Sequence, residues 1–222
     1  MGRTDSLVEE VHERLLELLR KRGVTGSEFL SDVSLAQELK VSRTPVRTAL
    51  TMLECEGLLH RVRGKGWSTI PLTIRDIAEI FDLKEILQAH AASQAAKKLT
   101  PEQANDLLEA MQAMEEAVER QNQEAEMATD LHFHEVVLLI ADSSRLTEFE
   151  KRLDSQWYPL RKGSVMLQGG MKQSCQEHRL IMEAIVARDA DLAAEMARRH
   201  HRRVRDDLIH IMQDVLKPFL GI

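Results

Sequence analysis

From Thr73 to about residue 216, apolar residues return every three or four positions almost without a break, and this pattern settles most of the fold. So long a stretch at helical period must form amphipathic helices that bury their stripes against one another. "IRDIAEIFDLKEILQAHAASQAAKKL" is the first of them. Thr100-Pro101-Glu102 opens the next in the usual order, cap before proline. Its stripe runs through Leu107, Leu108, Met111 and Met114. Further helices are expected over about 124–141, 145–158, 172–188 and 190–216, with "RKGSVMLQGG" as the one long glycine-containing loop. Only 10 glycines and 5 prolines occur in 222 residues, which argues against disordered or low-complexity segments. The 10 methionines follow the helical spacing and read as core filler.

The chain before Thr73 is built differently. A helix from about Ser6 to Arg22 carries the stripe Leu7, Val11, Leu15, Leu18 and Leu19, and Gly23 and Gly26 end it. Ser31 is the N-cap of a short second helix, "DVSLAQELK". A turn at Val41-Ser42 follows. Ser42 caps a third helix whose first turn contains Pro45, where a missing N–H costs little. Gly57 ends that helix. "LLHRV" and "WSTIPL" then read as two strands around "RGKG". The expected fold is mainly α. Residues 1–72 make a winged helix-turn-helix of three helices plus a β-hairpin wing, and residues 73–222 make an all-helical bundle.

The third helix begins against the usual rule. Helix N-termini carry partial positive charge and favour acids. This one presents Arg43, Thr44 and Arg47, and no acid. A net charge of −6 speaks against a nucleic-acid binder, but residues 40–67 hold six bases against two acids, a local +4. In a helix-turn-helix, the second helix points its N-terminal residues into the major groove. There, arginines suit phosphate oxygens and the O6/N7 edge of guanine. Arg43 and Arg47 are four residues apart and share a face, with Thr44 beside it. Lys65 and Gly66 at the wing tip suit backbone or minor-groove contact, since glycine lets another chain come close. Taken alone, the two arginines could be a solvated helix end. With the preceding helix, the wing and the local charge, they read as a face for double-stranded DNA.

A second constellation lies in the bundle. His134 shares a helix face with Asp130, Val137, Leu138 and Ala141. His178 shares one with Ile181, Met182 and Ile185, and His200 one with Ala193, Met196, Val204, Leu208 and Ile211. Each imidazole stands on a stripe that should face the core, and buried polar groups need partners. One divalent ion held by Asp130, His134, His178 and His200 would satisfy all four. The alternative is that each histidine is a satisfied core residue. His12, His60, His90, His132, His201 and His210 show no such pattern and are expected at the surface or satisfied. "RRHHRRVR" reads as a solvated face with His200 on its buried side. Trp67 at the wing base reads as packing.

The stretch "LSDVSLAQELKVSRTPVRTALTMLECEGLLHRVRGKGWSTI" resembles the winged helix-turn-helix of the GntR superfamily of bacterial transcription regulators. "DLHFHEVVLLIADSSRL" and "EHRLIMEAIVARDADLAAEMARRHH" resemble the two metal-binding segments of the FCD domain, the all-helical ligand-binding half of the FadR-like GntR subfamily. The resemblance implies DNA contact by Arg43, Thr44, Arg47, Lys65 and Gly66. It also implies metal ligation by Asp130, His134, His178 and His200. Three imidazoles and a carboxylate leave coordination positions open on Zn, Ni or Mn. The further implication is a small carboxylate or hydroxy-acid effector bound partly through the metal. Lys84 and Arg161 are candidates for its anion. The chain departs from the family at Lys84 and Gln88, where Arg and Glu are frequent, and at Ser144, so effector identity does not transfer.

The leading expectation is a metabolite-responsive repressor, not an enzyme. It would act as a homodimer on an inverted-repeat operator, since such proteins read two half-sites with matching symmetry. One alternative is a metal-dependent enzyme with an accessory DNA-binding domain. Against it, no general base is placed and the bundle, residues 73–222, contains no Glu-x-x-His pair of the di-iron kind. The other is a regulator whose metal is purely structural. Cys55 and Cys175 suggest no disulfide framework, and no apolar run would span a bilayer or serve as a signal peptide. These features lead to the expectation of a cytoplasmic protein without membrane attachment.

Overall fold

The computed structural model describes the backbone of residues 3–22, 29–70, 72–165 and 170–220, and side chains over 6–19, 29–70, 72–157 and 170–214. The chain forms two compact units, Met1–Leu72 and Thr73–Ile222.

The first unit contains α1 (Arg3–Arg22), α2 (Asp32–Leu39) and α3 (Arg43–Cys55) with three short strands, β1 (Phe29–Leu30), β2 (Leu59–Val62) and β3 (Gly66–Thr69). Ser31 caps α2, its hydroxyl accepting from the Val33 amide at 3.2 Å. Lys40 is not the last residue of α2, as the sequence reading had it. It takes a left-handed conformation (φ 56°), and the Val41 amide reaches back to the Ala36 carbonyl at 3.0 Å. That closed C-terminus makes the tight turn into α3. β3 pairs antiparallel with β2, as the hairpin required, and also with β1, a strand the sequence reading did not include. Val11 and Leu15 of α1, Leu35, Val46, Leu50, Leu53, Leu59 and Trp67 form the core. Trp67 is therefore packing, with its indole N–H on Glu54.

The second unit contains α4 (Ile74–Lys98), α5 (Pro101–Glu119), α6 (Gln123–Ala141), α7 (Ser144–Val165), α8 (Gly170–Val186) and α9 (Ala190–Leu220). α4 and α5 both open with capping boxes, Thr73 with Asp76 and Thr100 with Gln103. Ala91, Ala92, Ala95 and Ala96 pack the end of α4 into a core with Met111, Met114, Phe133, Ile140, Ile185 and Ala197. Met111, Met114 and Met182 are buried, as their spacing required, whereas Met52 on α3 is exposed and is not core filler. α7 is longer than expected, α8 keeps the expected length but begins and ends two residues earlier, and the predicted loop shrinks accordingly. Helix covers "RKGSV" up to Val165 and resumes at Gly170. α9 packs against both α4 and α8, which places its middle deep in the bundle.

Candidate nucleic-acid interface and metal centre

Arg43, Thr44 and Arg47 are all exposed at the first turn of α3. With Asp32, Thr48 and Thr51 they line one shallow surface concavity. The Thr48 and Thr51 hydroxyls are turned inward, donating to the Thr44 and Arg47 carbonyls at 3.1 and 2.9 Å. Ser42 occupies the N-cap position, but its hydroxyl makes no capping bond. The expectation that it caps α3 is therefore right in position and wrong in chemistry. The first turn contains no acid of its own. The nearest is Asp32 at the start of α2, whose Oδ2 accepts from Arg43 Nη2 at 3.0 Å. This contact joins residues 11 apart and leaves no mark in the spacing of either helix.

At the wing, the Lys65 ammonium lies 4.8 Å from the Phe29 ring centre, and Lys65 is exposed. Gly66 has a different reason for being glycine than close approach of DNA. Its φ is +107°, and a Cβ there would stand 2.3 Å from the Leu30 carbonyl oxygen in β1. The close pairing of β1 with β3 requires it. Gly64, also at positive φ (+78°), has nothing within 4 Å of a Cβ position, so it is the open glycine of the wing.

In the second unit, α6, α8 and α9 bring His134, His178 and His200 together. All three are buried, and one potential ligand atom from each lies within 4.8 Å of the other two. His178 Nε2 faces His134 Nε2 at 3.1 Å, and Asp130 Oδ1 lies 3.7 Å from His178 Nε2. His200 Nδ1 meets Glu177 Oε2 at 2.8 Å. A carboxylate on Nδ1 fixes that proton and leaves Nε2 as the lone-pair nitrogen, the usual arrangement behind a metal-bound histidine. Glu177 is itself gripped by Arg203, whose Nε lies 2.7 and 2.9 Å from its two oxygens. Burial first, then the neighbouring His178, His201 and His200 rings, hold His134 well below the ordinary histidine pKa. Burial and His178 do the same to His200. Neutral imidazoles with converging nitrogens are what a borderline metal such as Zn, Ni or Mn requires. The donor set fits a divalent ion. Cys175 stands outside this group, and burial pushes its thiol up to about 11, away from the thiolate a metal would need.

The histidine group borders a cavity lined in part by Phe81, Lys84, Asp130, Trp157, Ser174 and Arg203. Lys84 is neither solvated nor a cap. It is 3% exposed, and its ammonium donates to Glu150 Oε2 and Asp154 Oδ1, both at 2.7 Å. Burial opposes its charge, but Asp154 and Glu150 outweigh that and raise its pKa. Its charge is thus already matched inside the fold. Arg161 falls on a part of α7 whose side chains lie outside the described residues. His201, expected at the surface or satisfied, is buried, with Nδ1 on the Ala197 carbonyl at 2.9 Å. His12 bridges to Glu56 at 2.8 Å within the first unit. Among the described residues no helix is long and apolar enough to cross a membrane.

Comparison with known families supplies a match for each unit. The pattern of the gntR family of bacterial regulatory proteins matches residues 7–68, and that of the FCD domain matches residues 79–203. The uncharacterized HTH-type transcriptional regulator YdhC of Bacillus subtilis (strain 168) is 22% identical over 206 residues, covering 92% of each chain. The gluconate operon transcriptional repressor of the same organism is 26% identical over 201 residues, covering 85% of this chain and 81% of its own. Among solved structures, McbR/YncC of E. coli superposes with a TM-score of 0.81 at 19% identity, covering 94% of this chain and 98% of that one, a likeness of fold.

Proposed function

Because the chain belongs to the GntR family of bacterial transcriptional regulators, with an FCD domain as its helical unit, we propose that it is a repressor switched by a small organic acid. Relatives of the whole chain are named as transcriptional regulators and repressors, which sets aside the enzyme alternative. The first unit binds operator DNA, with Arg43, Thr44 and Arg47 entering the major groove and Lys65 and the wing following the backbone. A homodimer on an inverted repeat matches the two-fold logic of helix-turn-helix recognition. The second unit carries the metal and the effector.

One observation supports this switch above the rest: three buried imidazoles from three helices converge with their nitrogens within 4.8 Å of one another, at the wall of a cavity. A divalent ion there supplies an open coordination position for a carboxylate oxygen. His134, His178, His200 and Asp130 would hold the ion, and Glu177 orients His200. Effector binding would bias the arrangement of the paired winged units. A hundredfold loss of operator affinity asks for about 2.7 kcal/mol of coupling, well within the usual range.

The test is a thermal-shift screen of small carboxylates on metal-replete and chelator-treated protein. A ligand of the native state raises the melting temperature by mass action. An acid that stabilises only the replete protein supports the metal-anchored switch. Acids that act equally after chelation would make the metal structural and sink the anchor.

A further inference from the structure

Beside the three ligand histidines stands a fourth buried imidazole that a metal site leaves unused. His201 is 3% exposed and adjoins His200 on α9. Consecutive helical residues diverge by about 100°, so the two rings leave the helix in different directions. The His201 ring centre still lies 4.9 Å from that of His200 and 5.5 Å from that of His134. On its other side Phe81 of α4 stands at 6.5 Å.

The chemistry of this ring is set by its backbone contact. His201 Nδ1 lies 2.9 Å from the Ala197 carbonyl, one turn earlier. A carbonyl only accepts, so Nδ1 carries the proton and Nε2 carries the lone pair. Nε2 is therefore a fixed acceptor, and His201 lines the same cavity as His134 and His200.

The other polar groups around that cavity give this acceptor its meaning. Lys84 donates to Glu150 and Asp154. Arg203 donates to Glu177, Asp207 and Ser174. Both cations are committed to protein oxygens. With an ion held by the neighbouring histidines as its anion partner, an acid entering here would also meet at His201 an acceptor that a plain carboxylate cannot satisfy.

We propose that His201 is the specificity residue of the effector cavity, its Nε2 accepting a hydrogen bond from a hydroxyl of the effector. The cavity accordingly selects hydroxyl-bearing carboxylic acids over their deoxy counterparts. This rests on the metal-anchored effector reading above. His201 is a reader of the effector and not a fourth metal ligand.

The experiment is calorimetric titration of the zinc-loaded, full-length protein with matched pairs: lactate against propionate, and malate against succinate, in both enantiomers. The wild type prefers the hydroxy acid of at least one pair. In His201→Leu that preference shrinks by about tenfold, the worth of one neutral hydrogen bond in a dry site. His201→Gln, whose amide oxygen can accept near the Nε2 position, keeps most of it. If the leucine variant does not fold, His201→Met takes its place. An unchanged preference in the apolar variant overturns the proposal and leaves the metal-anchored effector standing. Titration with zinc alone separates the other case. A loss of zinc affinity as large as that of His200→Leu makes His201 a ligand and overturns its role as reader. A wild type that binds none of these acids, with zinc or without, overturns both readings together.

Discussion

Arg43 and Lys84 each meet carboxylates, on opposite terms. The Arg43 side chain is 63% exposed and leans on Asp32 at 3.0 Å. The Lys84 side chain is 4% exposed and lies 2.7 Å from Glu150, which is fully buried. A pair with a solvated partner is worth little, because water competes for the Arg43 charge and salt screens it, even though Asp32 is partly shielded. Arg43 can therefore leave Asp32 for a phosphate or a guanine edge at small cost. A buried pair gains little over an apolar one, yet breaking it strands a charge in a medium that cannot solvate it. Lys84 is a tether between α4 and α7. The difference separates charge kept for exchange with a partner from charge used to fix the fold around a site.

Breaking the tether gives the largest effect. Lys84→Ala should cost about 3–5 kcal/mol of stability in denaturant unfolding, since Glu150 loses its partner. Lys84→Met combined with Glu150→Leu should recover most of that loss, because the two fully buried charges then leave together, while the partly exposed Asp154 keeps the Trp157 indole N–H. A cost under about 1 kcal/mol for the single variant would show that the pair is wet and the contrast with Arg43 empty.

Acid should divide the two units as well. The folded-state pKa values of His134, His200 and His201 lie well below 6.5, chiefly through burial. The unfolded chain therefore takes up protons first as pH falls. Stability from these groups is complete above about 6.5 and is lost below it, by up to about 1.4 kcal/mol per pH unit for each histidine. Among the described residues, no histidine lines the Arg43 face. Melting of the chelated protein between pH 7.5 and 5.5, followed by amide exchange in each unit, should show the loss in the helical unit. A pH-independent helical unit would mean that the histidines are solvated.

Arg43→Ala tests the exposed side. It should weaken binding to an operator selected from random duplexes by about 1–3 kcal/mol, as expected for a base-reading arginine, and leave stability near wild type. Unchanged affinity would remove Arg43 from the recognition surface.

The same contrast explains what was readable in the sequence. The proposed DNA face lies within one motif, so the joint exposure of Arg43, Thr44 and Arg47 could be read from spacing alone. The convergence of His134, His178 and His200 could be read because each stands on its own helix stripe. What stayed hidden depends on partners far along the chain. Glu177 is 23 residues from His200, and Glu150 and Asp154 are 66 and 70 residues from Lys84. The two-residue strand β1 left its trace only in Gly66, which had a second explanation. His201 is satisfied, as expected, but its burial went unread for a general reason. A single buried stripe suits a helix at the edge of a bundle. α9 packs against α4 and α8 at once, so residues 200 and 201 are both buried on different faces.

The smallest expected effect is also the sharpest test of exchangeable charge. Asp32→Asn removes the carboxylate that holds Arg43 and raises the net charge of the DNA face by one. It also removes the acid from the first turn of α2, which should cost less than about 1 kcal/mol of stability. If Arg43 gives up Asp32 when DNA arrives, the variant should bind non-specific duplex about threefold more tightly at low salt, and the gain should vanish as salt rises. If Asp32 instead aims Arg43 at one base, operator affinity should fall while non-specific binding rises. Comparing the two duplexes across a salt series decides whether Asp32 competes with DNA or orients the arginine for it.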